Sequence, residues 1–257
     1  MREIRTYIDA RLTEGEALTL DERAAGHVVR VLRRRVGDLI TLFDGRGIEA
    51  AAELIAIERR GPCRVRIVGV AAIDRESPLR IELVQAVARG EKMDWIVQKA
   101  TELGVTSIRP VFTERSEVRA EGQALLRKQA RWQEIAIGAC EQSGRNVLPL
   151  IHAPVALVEL ATEAELRLML DPDGATALAG VVSGATGKSG QTSIALAIGP
   201  EGGLGDQDRA LLRRSGYAAV TLGPRVLRTE TAGPAAIAVL QVLQGDFAGD
   251  RPEEARS

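Results

Sequence analysis

Two stretches near the carboxyl end carry the residues best spaced for chemistry. In "IALAIGPEGG" (194–203) and "AAVTLGPRVLRTE" (218–230) an apolar run leads into Gly-Pro and then into a polar turn. Gly199 and Gly223 allow close backbone approach, and Pro200 and Pro224 stiffen the turns they open. Two such turns at the carboxyl ends of neighbouring strands would line a cleft with main-chain amides and carbonyls. Glu201, Arg228, Thr229, Glu230 and Thr231 crowd the same place. Ligands of open α/β sheets bind at that edge. Each turn alone reads as an ordinary strand-to-loop connection; the pair reads as a site.

Charge narrows the ligand. A phosphate brought against Glu201 would be repelled. The glycines approach a dinucleotide fingerprint as Gly203-x-Gly205-x-x-Asp208, but the last position is wrong. "SGATGKSGQTS" (183–193) fails as a phosphate loop, because Val182 stands where the first glycine is required; it reads as a flexible connector. A ligand with an aromatic base, a ribose and a positive centre suits better. S-adenosylmethionine is one: a carboxylate tolerates its sulfonium, and backbone groups can read adenine.

The elements that must position these turns are set by periodicity. "IELVQAV" and "SIRPVF" read as strands. "KMDWIVQKATELG" is an amphipathic helix with Met93, Ile96, Val97, Ala100 and Leu103 on one face and Gly104 as its stop. A longer helix, "LLRKQARWQEIAIGACEQSG", ends at Gly144. "DQDRALLRRSG" reads as a short helix capped by Asp206 and stopped at Gly216. Pro234 restricts the start of the last helix to residues 229–233, since proline is best tolerated in a first turn. Alternation of strands and helices predicts a mainly parallel sheet covered on both faces.

The first seventy or so residues differ. They read as short strands with an Asp44-Gly45 turn, a Gly61-Pro62 turn and one basic helical stretch, in which Arg30, Arg33 and Arg34 share a face. That face is either solvated or a phosphate-contacting stripe. A small β-barrel or sheet of the kind found in RNA-binding modules is expected. The chain of 257 residues has a net charge of −1, with no global basic footprint. Residues 1–72 carry 13 Lys+Arg against 11 Asp+Glu, too slight an excess to decide a partner. Cys63 and Cys140 read as buried hydrophobes in a reducing compartment. No secretory signal, membrane span, zinc spacing or nucleophile elbow is visible, so a cytoplasmic protein without a metal is expected.

"FDGRG", "KMDWIVQKATELGV", "TERS", "ACEQSGR", "IGPEGG" and "LGPRVLRTETA" together strongly resemble the RsmE-type family of 16S ribosomal RNA uridine-N3 methyltransferases, of the SPOUT superfamily. The likeness spans nearly the whole chain in order; residues 155–193 carry no recognisable family motif. It implies a PUA-like β-barrel at 1–72, a linker at 73–78, an α/β methyltransferase domain with a deep trefoil knot at 79–247, and a tail at 248–257. Topology rules alone would reject the knot. The resemblance also implies S-adenosylmethionine held by Ile198, Gly199, Pro200, Glu201, Gly202 and Gly203, by Leu222 and Gly223, and by Val226, Leu227, Arg228, Thr231 and Ala232. It implies a homodimer with active sites drawn from both subunits. Where many relatives have paired histidines, this chain has Gly26 and His27, which leaves position 26 without a side chain to act.

For such a reaction Arg228 is the expected electrostatic stabiliser of a deprotonated uridine. Glu201 or Glu230 could take the proton; alternatively Glu201 orders its own turn and Glu230 caps the last helix. RNA contacts are expected from Arg30, Arg33, Lys92, Lys99, Arg115 and Arg145. Trp95 shares a helix face with both lysines, as a stacking platform or as core. Near-neutral charge implies modest binding of RNA by the protein alone, so the 16S rRNA substrate is expected within an assembled small ribosomal subunit, with free RNA left open. Two other classes stay open: a non-catalytic RNA-binding protein of the same architecture, and a nucleotide-dependent enzyme such as a dehydrogenase.

Overall fold

In a computed structural model the described residues are 4–58, 62–117, 122–182 and 193–249, with the side chains of Arg30 and Val31 outside the description. The chain divides into two compact units. One takes in the chain up to Glu76 and returns for Ile137–Leu148; the other holds Ser77–Ala136 and the chain from Pro149 onward.

The first unit is built on a five-stranded sheet. Strands β1 (Arg5–Tyr7), β2 (Ala17–Leu20), β3 (Leu39–Phe43), β4 (Ile48–Ile57) and β5 (Cys63–Ala72) lie in the order β1-β3-β4-β5-β2. Pairing is antiparallel except between β1 and β3. Alternating residues of β5, Cys63, Val65 and Ile67, are buried with Leu42, Leu54 and Val28. Asp44 opens the β3–β4 turn by accepting from the backbone N–H of Arg46 and Ile48. Gly45 and Gly47 supply the left-handed residues there. Buried Arg5 donates to both carboxylate oxygens of Glu49, and Arg75 donates to the same group. These arginines hold the Glu49 carboxyl below its usual range against the opposing effect of burial.

The basic stripe expected on a helix does not form. Helix α1 covers only Glu22–Gly26, a π-helical turn comes next at His27–Val31, and Arg33 has φ of +53°. A left-handed residue ends helical geometry, so Arg33 and Arg34 do not continue the i, i+3, i+4 row. The Arg30 side chain lies outside the described residues.

The second unit is a parallel sheet in the order β11-β13-β10-β12-β6-β7-β8, with β9 also on β7. Its strands are β6 (Arg80–Ala86), β7 (Ser107–Phe112), β8 (Leu150–Ile151), β9 (Val155–Ala156), β10 (Leu166–Leu170), β11 (Thr176–Ala177), β12 (Ser193–Ile198) and β13 (Ala218–Thr221). Every described pairing among them is parallel. Strand β13 comes last in sequence yet lies between β10 and β11.

Helices cover both faces. Helix α2 (Lys92–Glu102) buries Met93, Ile96, Val97 and Ala100 and stops at left-handed Gly104. Each large side chain so buried contributes about 1.5–3 kcal/mol of transfer free energy. Helices α3 (Gln123–Ser143), α4 (Leu178–Val182) and α6 (Thr229–Gln244) add Trp132, Leu178, Val182, Ile237 and Leu240 to the same core. On the other face α5 (Asp206–Arg214) packs Leu212 with Met169, Ala195, Ala197 and Tyr217.

One helix start departs from expectation, and one helix carries its proline deeper than expected. Gly205, not Asp206, precedes α5, and the carboxylate of Asp208 reaches back to the Gly205 N–H at 2.9 Å. Helix α6 begins at Thr229 as expected, but Pro234 is then its sixth residue, beyond the first turn. Its ring leaves the Glu230 carbonyl without the amide four residues on. Cys63 and Cys140 are free and buried, and burial pushes the Cys140 thiol up to about 12. No helix among the described residues is long and apolar enough to cross a membrane.

Candidate functional site

Three strand ends meet in one cleft. Strand β10 lies between β12 and β13 in the sheet, so the two Gly-Pro turns flank a third loop rather than adjoin. That loop, Leu170–Asp171–Pro172, is absent from the expected site residues. Its signal is the same layout, since "LMLDPDG" is an apolar strand running into a proline-glycine turn. The cleft has a volume of about 390 Å³, within the range of small-molecule sites.

The expected cofactor residues 198–203, Leu222, Gly223, Val226, Leu227, Arg228 and Ala232 all line this cleft, as does Glu230. Thr231 does not. It lies in the first turn of α6 and is exposed. Thr221, Arg225 and Lys92 line the cleft without having been expected as cofactor contacts.

The turn after β12 is shaped by missing side chains. The Gly203 N–H donates to the Pro200 carbonyl at 2.9 Å, and Gly203 takes φ of +70°. A Cβ on Gly199 would lie 2.9 Å from the Leu204 nitrogen and 3.1 Å from the Gly203 carbonyl carbon. Those neighbours are backbone and cannot swing away, so the turn requires glycine. Gly223 takes φ of +76° at the second turn.

Carboxylates at the site are already engaged. Glu201 Oε1 accepts from the Arg89 N–H at 3.1 Å and lies 3.2 Å from Lys92 Nζ. Partial burial raises the Glu201 carboxyl, but its own backbone N–H, that of Arg89 and the Lys92 charge outweigh it and leave it below its ordinary value. Lys92 also lies 3.5 Å from Glu230 Oε2, an oxygen that receives no hydrogen bond. Asp171, buried, is paired with Arg209.

The cations divide. Arg228 and Arg225 are exposed at the cleft and make no ion pair among the described residues. Arg115 Nη1 donates to the Gly202 carbonyl at 2.9 Å. Lys99 is paired with Glu102 on its own helix. Arg33 is exposed in the first unit. Arg145 is buried and paired with Glu76, a structural ion pair that removes it from the groups facing solvent. Trp95 is 44% exposed and so is not core.

Sequence reasoning missed Gln85 and Thr229 as partners. Gln85, fully buried at the end of β6, donates from Nε2 to Thr229 Oγ1 at 3.0 Å. Thr229 Oγ1 in turn donates to the Gly199 carbonyl at 2.7 Å. No periodicity marks such a pair, because its members are 144 residues apart.

Comparison with known proteins agrees with this geometry. Residues 75–241 match the RNA methyltransferase domain family, and residues 20–68 match the RNA methyltransferase PUA domain. The ribosomal RNA small subunit methyltransferase E of Buchnera aphidicola from Acyrthosiphon pisum is 30% identical, covering 95% of this chain and 94% of its own. That of Bacillus subtilis is 29% identical over 92% of this chain and 95% of its own. A Legionella pneumophila methyltransferase solved with SAM bound superposes with a TM-score of 0.90 at 38% identity, covering 96% of this chain and all of the other. The Neisseria gonorrhoeae ribosomal RNA small subunit methyltransferase E, bound to S-adenosyl methionine, gives 0.85 at 37% identity with the same coverage. The chain is a member of the ribosomal RNA small subunit methyltransferase E family.

Proposed function

We propose that this protein transfers a methyl group from S-adenosylmethionine to N3 of a uridine in small-subunit 16S ribosomal RNA. The observation that carries the reading is the cleft at the ends of β10, β12 and β13, walled by a turn that admits only glycine and edged by unpaired Arg228. The residues fit that cofactor. Leu170, Ile198, Leu222 and Leu227 offer apolar walls for a base, and the two glycine turns bring main chain within reach. Lys92 leaves a net negative charge when counted with Glu201 and Glu230, which suits a sulfonium.

When bound, S-adenosylmethionine supplies an electrophilic methyl on positively charged sulfur. The chain's own work is alignment, worth up to about 7–11 kcal/mol in well-oriented cases. Arg228, the first residue before α6, stabilises the N3 anion of the uridine. Glu201 is a poor proton acceptor here, being lowered and hydrogen-bonded. Glu230, with an oxygen that receives no hydrogen bond, is the better placed of the two. Lys92 and Arg115 line the same cleft and face incoming RNA; Arg33 and Lys99 are secondary contacts.

The reading also takes residues 1–72 as the RNA-binding part, 73–78 as linker, 79–247 as the catalytic part and 248–257 as tail, with Ile137–Leu148 packed into the first unit. Insertion of β13 between β10 and β11 supports a trefoil knot, since β13 must enter beneath the connection that joins them. The family resemblance supports a homodimer, the near-neutral charge supports the assembled small subunit as substrate, and the cysteine usage supports a cytoplasmic setting.

The test is methyl transfer by purified protein to free 16S rRNA and to small subunits, with the modified base mapped by mass spectrometry. N3-methyluridine is the expected product. Methylation at another atom overturns the uridine-N3 assignment. Binding of RNA without binding of S-adenosylhomocysteine favours the non-catalytic alternative, and stabilisation by a dinucleotide alone favours a dehydrogenase.

A further inference from the structure

We propose that Gln85 and Thr229 are positioning residues, a buried relay that fixes Arg228 relative to the Gly199 turn. The inference rests on the proposed methyl transfer and deepens it. Its direction is set by which atoms can donate. Gln85 Nε2 lies 2.9 Å from the Ala86 carbonyl, which only accepts, so the amide nitrogen must face that side. The same nitrogen then donates to Thr229 Oγ1, and the single hydroxyl proton of Thr229 goes to the Gly199 carbonyl. Every proton in the chain is assigned, and none can be reversed without facing two acceptors.

The relay ties three elements that meet nowhere else in sequence. Gln85 belongs to the end of β6, Gly199 opens the turn after β12, and Thr229 begins α6 one residue after Arg228. Both side chains are removed from water: Gln85 is fully buried and Thr229 is 5% exposed. Pro200 has no N–H, so the Gly199–Pro200 peptide presents its carbonyl alone, and Thr229 holds that carbonyl inward. Gly233 packs over the Gln85 amide, where a Cβ would stand 3.6 Å from Oε1. Burying this amide leaves its Oε1 without a hydrogen-bond partner. A plain apolar side chain would avoid that cost, so the amide is retained for what its nitrogen orients. At the surface of the same two loops, Lys92 spans Glu201 and Glu230. The relay is the inner brace and the lysine the outer one.

The test compares Thr229→Val, Thr229→Ser and Gln85→Met with the unaltered protein. S-adenosylhomocysteine affinity is measured by calorimetry, and single-turnover methylation of small subunits is tracked across pH. Thr229→Val is expected to slow methyl transfer at least tenfold, with cofactor affinity changed less than threefold and melting temperature lowered only a few degrees. Thr229→Ser restores the hydroxyl and is expected to restore the rate. Gln85→Met is expected to slow transfer by a smaller factor and serves in place of Thr229→Val should that variant not fold. A normal rate in Thr229→Val or Gln85→Met overturns the relay. So does a loss of rate that only tracks a loss of cofactor affinity, or a failure of serine to rescue. Unaltered protein that binds S-adenosylhomocysteine but methylates nothing would instead sink the proposed function, so the two failures are distinct.

Discussion

The parallel sheet has one cleft at its carboxyl end and another at its amino end, and the two are built on opposite principles. At the carboxyl ends lies the site of β10, β12 and β13. At the amino ends of β6, β7 and β12 lies a larger cleft of about 870 Å³, lined by Arg80, Glu82, Arg109 and His152 among others. Three of its charged or titratable groups, Glu82, Arg109 and His152, satisfy one another. Arg109 Nε donates to Glu82 at 2.8 Å and Arg109 Nη2 to His152 Nε2 at 3.2 Å. A guanidinium can only donate, so His152 accepts as the neutral imidazole. Burial first, then Arg109, holds its pKa below the ordinary value against the pull of Glu82. At the carboxyl ends, by contrast, Arg225 and Arg228 stand without ion-pair partners among the described residues, and glycine turns replace side chains with main chain. A cleft whose central charges are closed into pairs commits them to the fold; one that leaves cations open keeps them for a ligand, as the proposed reaction requires.

The sharpest way to break this contrast is Arg228→Ala. Removing a preorganised charge from a reacting centre costs about 100- to 1000-fold in rate. The rate should fall by that order in methylation assays while S-adenosylhomocysteine affinity stays within threefold; an undiminished rate removes Arg228 from the mechanism. Gly199→Ala tests the turn itself. Its Cβ collides with the Leu204 and Gly203 backbone, so cofactor binding should weaken more than tenfold by calorimetry. Gly69→Ala meets nothing within 4 Å and should leave binding intact.

At the opposite cleft the expected pattern inverts. Arg109→Met strands the partly buried Glu82 carboxylate and should cost roughly 1–3 kcal/mol in denaturant unfolding, with turnover unchanged at a temperature where the variant is folded. A loss of turnover without loss of stability would mean that this cleft, too, is functional. The smallest effect is on pH. The folded pKa of His152 is depressed, so the unfolded chain binds its proton first, and stability falls as pH drops below the unfolded value of about 6.5. His152→Gln should flatten that part of the stability-pH curve slightly.

Much of the site is legible in the chain because it is local. Gly-Pro after an apolar run fixes a turn within five residues, and "KMDWIVQKATELG" fixes its own buried face and its own stop. The Leu170–Pro172 loop obeys the same rule but has no glycine at its first turn position, which hides it. Arg145 misleads for the opposite reason. Its sequence surroundings look like any solvated basic turn, and only the fold reveals Glu76 beside it. The arginine row from Arg30 to Arg34 fails because periodicity presumes a helix that continues, whereas Arg33 leaves helical geometry.

The sequence by itself determined the strands on either side of the amphipathic helix and before the two stiff turns, the principal helices, the turns themselves and the family to which the chain belongs, since each is written in short-range spacing. Tertiary structure alone decided that β13 slips between β10 and β11, that Lys92 answers both Glu201 and Glu230, and that Gln85 reaches Thr229. These depend on which distant segments share a neighbourhood. Packing chooses that neighbourhood by the sum of many weak burials, and no single stretch of residues carries the sum.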